Sequence, residues 1–170
     1  MNAEIQTDWT ADDEGAILEV IDKWVEGEVR PRALEHDQND TYPQELVEQM
    51  KELGLFGAII SPKYGGLGLP ASTYAKIVVK VAGAWMAPSG IFNSHLIMAS
   101  AIERAGTEEQ KTAWLPKMAT GELRGGIALT EPNAGTDLQA IRTKAEKTNE
   151  GYRLNGTKTW ITNSLHGNCL

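Results

Sequence analysis

Two stretches in the second half of the chain carry residue types suited to holding a flat, anionic ligand. The first is Ala128-Leu129-Thr130-Glu131-Pro132-Asn133-Ala134-Gly135-Thr136-Asp137. It reads as a strand that turns sharply at Pro132 and Gly135, exposing the Thr130 and Thr136 hydroxyls beside several backbone N–H groups. Glycine lets a backbone approach a ligand closely, and successive N–H groups next to a hydroxyl suit a phosphate. The same residues also make an ordinary β-turn that binds nothing. The second stretch is Thr159-Trp160-Ile161-Thr162-Asn163. An aromatic followed two residues later by a hydroxyl, on one face of a strand, can stack on a planar ring and hydrogen-bond to its edge. A lone tryptophan is, however, more commonly core.

The remaining reactive residue types form no comparable pattern. His36, His95 and His166 have no metal-ligand spacing to one another or to Cys169, so no metal site is expected. His95 reads as a packing or solvent-facing histidine. The loop Pro62-Lys63-Tyr64-Gly65-Gly66-Leu67-Gly68 lacks the Lys-Ser/Thr of a phosphate-binding P-loop and reads as a tight connector at a domain junction. Glu131, beside Pro132, is locked in its turn.

The elements that must position these residues change character near Gly121. From Thr10 to Gly121 the apolar spacing is helical. Thr10 caps a first helix with Ile17, Ile21, Trp24 and Val25 along one face, and Pro31 is expected to end or bend it. A second helix opens at Pro43, buries Leu46, Val47, Met50 and Leu53, and stops at Gly54. A third runs from about Ser72 with Tyr74, Ile77, Val78, Val81 and Trp85 on its buried side. A fourth opens at Pro88-Ser89 and closes near Gly106. Thr107 and Gln110 form a capping box for a fifth.

After Gly121 the pattern is that of strands: 124–130, 142–147, 152–154 and 157–162, with Asn155-Gly156 as a type I′ hairpin turn between the last two. The fold expected is therefore an all-helical domain over 1–121 followed by the beginning of a β-domain over 122–170. So few strands are marginal by themselves, and the chain reads as a fragment.

Hydrophobic residues make up 41% and charged residues 23%, the balance of a globular protein. A net charge of −7 without a basic block argues against nucleic acid and against an anionic membrane surface as partners. No apolar run is long enough to span a bilayer. The acidic start (Glu4, Asp8, Asp12, Asp13, Glu14) resembles neither a signal peptide nor a transit peptide. With Cys169 as the single cysteine, a reducing compartment is expected, either the cytoplasm or the mitochondrial matrix after removal of a leader.

Taken together, 128–137 and 159–163 resemble the paired flavin-binding segments of the acyl-CoA dehydrogenase family, in that family's order and separation. The Tyr64-Gly65-Gly66-Leu67-Gly68 loop and Gly106-Thr107-Glu108-Glu109-Gln110-Lys111, followed by Leu115-Pro116 and Gly121-Glu122, are similar to the family's own. The resemblance implies FAD as cofactor, an acyl-CoA substrate, an electron-transfer flavoprotein as electron acceptor, and a homotetramer or homodimer. It implies a β-barrel-like middle domain, a C-terminal four-helix bundle beyond this sequence, and a catalytic base located there, leaving no catalytic residue in this chain.

By the same resemblance, Ile127, Leu129, Thr130 and Ile161 line the flavin, with the Thr130 hydroxyl at its pyrimidine end. Gly135 and Thr136 hold the pyrophosphate, and Thr136 also touches the acyl-CoA. Trp160 lies against one flavin face and Thr162 donates to N5. Ser164 and Leu165 depart from the family's glycine-rich continuation. An acyl-CoA oxidase or nitroalkane oxidase on the same scaffold, or a helical interaction module without cofactor, would share these features.

Overall fold

A computed structural model describes residues 9–170, so Glu4 and Asp8 of the acidic start lie outside the described residues. Thr10 caps helix α1 (Ala11–Trp24) as its sequence predicts. Its hydroxyl accepts from Asp13 N–H, and the Asp13 carboxylate accepts in return from Thr10 N–H. Ile21, Trp24 and Val25 are buried.

Pro31 does not end the helix. A π-helical segment, Val25–Val29, follows α1 and leads into helix α2 (Arg30–Asn39), with the Arg30 N–H reaching back five residues to the Val25 carbonyl. In α geometry a proline leaves the carbonyl four residues earlier without its donor and crowds it. The widened turn directly before Pro31 lets the chain stay helical.

Helix α3 (Gln44–Glu52) follows Pro43, buries Leu46, Val47 and Met50, and stops before Gly54; Leu53 is only partly buried. The glycine loop then folds back on the chain just before it. Leu67 N–H donates to the Gly57 carbonyl (2.9 Å), Gly68 N–H to Ile60 (2.9 Å) and Leu69 N–H to Ala58 (2.8 Å). It is a tight connector, but inside the helical half and not at a domain junction.

Helix α4 (Ala71–Ala84) buries Thr73, Ile77 and Val81, whereas Tyr74, Val78 and Trp85 are half-buried against the core. Helix α5 (Met86–Ala105) starts two residues before the expected Pro88. Helix α6 (Glu108–Ala119) carries the Thr107–Gln110 capping box. Phe56, Phe92, Leu46, Met50, Ile77, Leu96, Leu115 and Met118 form one closed core. Each such side chain contributes about 1.5–3 kcal/mol by leaving water.

After Gly121 a short 3-10 turn (Leu138–Ala140) precedes a two-stranded antiparallel sheet, β1 (Lys144–Thr148) and β2 (Gly151–Asn155), in the register Lys144↔Asn155 to Thr148↔Gly151. A helical domain followed by the start of a β-domain is thus observed, but the strands differ from expectation. The hairpin turns at Asn149-Glu150, and neither Asn155 nor Gly156 has the positive φ that a type I′ turn requires. Gly156 instead passes hard against Thr143, where a side chain would collide with the Thr143 hydroxyl. Arg142 and Thr143 are not in the strand, because their N–H groups go to the Glu131 carboxylate. Residues 124–130 and 157–162 form no regular strands. Trp160 (φ 57) and Asn163 (φ 67) break the extended run.

Candidate functional site

Both motifs come together through a few polar contacts that span long stretches of sequence. Thr159 N–H donates to the Thr130 carbonyl at 3.0 Å. The Lys158 ammonium donates to the Leu129 carbonyl (2.9 Å) and to Glu131 Oε1 (3.0 Å). At the other end, a side chain at Gly126 would lie 2.6 Å from the Thr162 carbonyl and 2.8 Å from Ser94 Oγ. Residues 126–131 and 158–162 therefore run antiparallel and in close approach, which only glycine at 126 permits.

Glu131 holds this arrangement. Its buried carboxylate accepts from Arg142 N–H (2.8 Å), Thr143 N–H (2.9 Å), Thr143 Oγ1 (2.5 Å) and Lys158 Nζ (3.0 Å). The hydrogen bond from the Thr143 hydroxyl foremost, then those from the Arg142 N–H and the Lys158 ammonium, push its pKa down to about 2. The turn itself is closed by Glu131 N–H to the Ala134 carbonyl (2.8 Å) and Ala134 N–H to the Glu131 carbonyl (3.1 Å).

The helical half grips the second motif separately. Asn163 Nδ2 donates to the Ile91 carbonyl of α5 (2.9 Å) and to the Gly125 carbonyl (2.7 Å). His95 is fully buried on α5, and its Nδ1 accepts from Gly125 N–H (3.3 Å). Its Nε2 is then the donor to the Met118 carbonyl (3.0 Å), which fixes the neutral tautomer. Burial holds its pKa down at about 4. His95 is thus a packing histidine. Arg124 donates to Tyr42 Oη (3.1 Å) and to the His166 carbonyl (3.0 Å), while Tyr42 and His166 stack at 3.7 Å.

Trp160 is 93% exposed, which disposes of the reading that it is simply core. Thr136, Gly135 and Thr162 are exposed, Ile127 and Leu129 lie near the boundary of exposure, and Thr130 and Ile161 are half-buried. Gly135 has no atom within 4 Å of where a Cβ would stand, and its φ is not positive. The turn itself therefore does not require glycine there, and an open face remains for close approach. A cleft of about 620 Å³ lies between the α2–α3 junction, the start of α5 and residues 161–166. It takes in Ile161 and Thr162 but not Ile127, Leu129, Thr130, Gly135, Thr136 or Trp160. The structure thus pairs the two motifs along their backbones without gathering all eight residues into one pocket.

An exposed indole, exposed hydroxyls and an unobstructed glycine turn fit one flat face of a cofactor such as FAD, though not an enclosure. Arg124, Gly126 and Lys158, which help build the site, are missed by motif reading, and Asn163 closes the second motif without a role read for it. Only Gly126, within the Gly125-Gly126 pair, left a sequence signal of close approach.

The N-terminal-domain model of acyl-CoA dehydrogenases matches residues 11–122, and the middle-domain model matches residues 126–170. The chain is 37% identical over 148 residues to a short-chain-specific acyl-CoA dehydrogenase of Clostridium acetobutylicum, covering 86% of this chain and 39% of that protein. It is 40% identical over 145 residues to acryloyl-CoA reductase (NADH) of Anaerotignum propionicum, covering 82% and 36%. Among solved structures, butyryl-CoA dehydrogenase from Megasphaera elsdenii superposes with a TM-score of 0.84 at 31% identity, covering 98% of this chain and 44% of that one. The chain therefore spans less than half the length of each of these relatives.

Proposed function

The chain belongs to the acyl-CoA dehydrogenase family, and from that premise we propose that it supplies an FAD-facing surface to an enzyme that dehydrogenates an acyl-CoA thioester between its α and β carbons. The observation that carries this reading is the pairing of 126–131 with 158–162 beside an almost wholly exposed Trp160. FAD, when bound, supplies the hydride acceptor.

In this reading Ile127, Leu129, Thr130 and Ile161 line the ring, Trp160 covers one face, and the Thr162 hydroxyl donates to N5. Gly135 and Thr136 take the pyrophosphate, and Thr136 also meets the acyl-CoA. The division at 121/122 separates a helical buttress from this surface. A carboxylate must accept the α-proton. Glu131 is unsuited, being buried, held far below the usual range and engaged by its donors. Glu103 accepts from Ser61 N–H, and Glu108 pairs with Lys63 and Lys111. We assign the base to protein outside these 170 residues. A homo-oligomer, an electron-transfer flavoprotein and a reducing compartment (cytoplasm or mitochondrial matrix) complete the proposal. The identity to a reductase favours one second reading, the same α,β bond chemistry run toward saturation.

Titrating the chain into FAD and following the visible flavin band tests the cofactor assignment. A perturbed band, much weakened in Trp160→Ala, is expected, and an unperturbed band at saturating protein would overturn it. Acyl-CoA should not bleach FAD with this chain alone. Turnover there would place the base within it.

A further inference from the structure

We propose that Asn163 is a positioning residue through which helix α5 sets the geometry of the Trp160–Thr162 segment; its consequence for FAD rests on the reading above. Trp160 has φ 57 and 93% of its surface exposed. A bulky residue rarely adopts the left-handed region, and an exposed side chain offers no packing to hold it there. The conformation must therefore be imposed by what grips the segment on either side.

On the N-terminal side the grip is Thr159 N–H on the Thr130 carbonyl. On the C-terminal side it is Asn163. Its own φ of 67 suits asparagine, which tolerates this region better than most residues. Its side-chain amide donates to Ile91 in α5 and to Gly125 at the domain junction. Its carbonyl accepts from Gly167 N–H at 2.7 Å, while Ser164 N–H closes back on the Ile161 carbonyl at 3.2 Å. Gly126 leaves room for the Thr162 carbonyl beside Ser94 of the same helix. Thr162 and Trp160 are thus referenced to the helical core through one amide, two carbonyls and one missing side chain.

Two substitutions separate the amide from the backbone conformation. Asn163→Asp keeps the size but turns two donated bonds into carboxylate–carbonyl repulsion. Asn163→Gly keeps φ 67 without strain but has no amide. Amide hydrogen exchange at Thr159, Ser164 and Gly167 is measured in the 170-residue chain, with the Trp160 indole N–H resonance and the thermal melt of the helices. In both variants protection at these amides should fall about tenfold or more, since two hydrogen bonds are lost. The indole resonance should shift and the melt should stay in place. FAD affinity should fall about tenfold or more in parallel.

Parent-like protection and indole resonance in Asn163→Gly would mean that backbone conformation alone positions the segment and would overturn the proposal, as would unchanged protection in Asn163→Asp. Collapse of the helical melt in both variants would also overturn it, making Asn163 a general stability residue. A parent chain that binds no FAD would defeat the cofactor reading, while the exchange and indole data would still decide the role of Asn163.

Discussion

Before residue 120 the largest side chains, among them Phe56, Phe92, Leu46 and Met118, are closed off from water. Beyond it, the buried positions are Gly121, Gly125, Gly126, Glu131 and Ala134, and the large apolar side chains Leu138, Tyr152, Leu154, Trp160, Leu165 and Leu170 are exposed. One half is held by area, many small contributions that resist single losses of polar partners. The other is held by a few directional bonds, so each donor or acceptor matters. A surface that must present groups to a ligand cannot also bury them, and sparse polar clamps leave faces free.

Perturbations at single residues put this contrast to the test. The largest effect is expected on the helical side. Phe92→Ala should cost about 3–5 kcal/mol and lower the helical melt, read by far-UV circular dichroism. Loss confined to the second half would contradict the division.

Next is acid. His95 bridges the two halves, and its folded pKa of about 4 lies below its ordinary 6.5. The unfolded chain therefore takes the proton first as pH falls. Its contribution is fully present above pH 6.5 and is lost between 6.5 and 4, by about 3 kcal/mol. Urea unfolding at pH 7 and 4.5 measures the loss, and His95→Gln should flatten it.

Smaller still is Glu131→Gln, which replaces an acceptor of several bonds with a group that brings its own N–H donors against them. Exchange at the Arg142 and Thr143 amides should rise about tenfold or more while the helical melt holds. Because the Glu131 pKa is depressed, its contribution persists above about pH 4.5 and fades only as pH falls toward 2. The smallest structural effect belongs to Gly135→Val. With nothing nearby and no positive φ, stability should change by less than about 0.5 kcal/mol. FAD binding should nonetheless weaken, and equal loss of both would tie Gly135 to folding.

Local rules were legible where local chemistry decides. The Thr10 and Thr107 caps, the buried face of α3 and the end of α5 near Gly106 follow from neighbours within four residues. The site resisted reading because distant groups decide it. Nothing near Asn155-Gly156 reveals that Thr143 will crowd Gly156, so a strong turn signal belonged to a close crossing. Arg142 and Thr143 carry a strand pattern, yet a carboxylate eleven and twelve residues earlier claims their N–H groups. Trp160 and Thr162 were identifiable as a pair by type and spacing, whereas the left-handed conformation that orients them comes from α5 and Gly125. Pro31 was read by its usual effect, which the π-helical turn cancels.

That turn also acts on phase. One extra residue in a helical turn shifts everything downstream by about 100° around the axis. Deleting a single residue from Val25–Val29 would turn His36, now stacked on Trp85 at 5.5 Å, away from the rim of the cleft. Tyr42, just past the end of α2, would be carried with it, and the Arg124 and His166 contacts would lose their partner. The segment thus serves as an angular offset written in chain length. An alignment that closes it as a one-residue gap would misassign which faces of α1 and α2 meet the rest of the molecule.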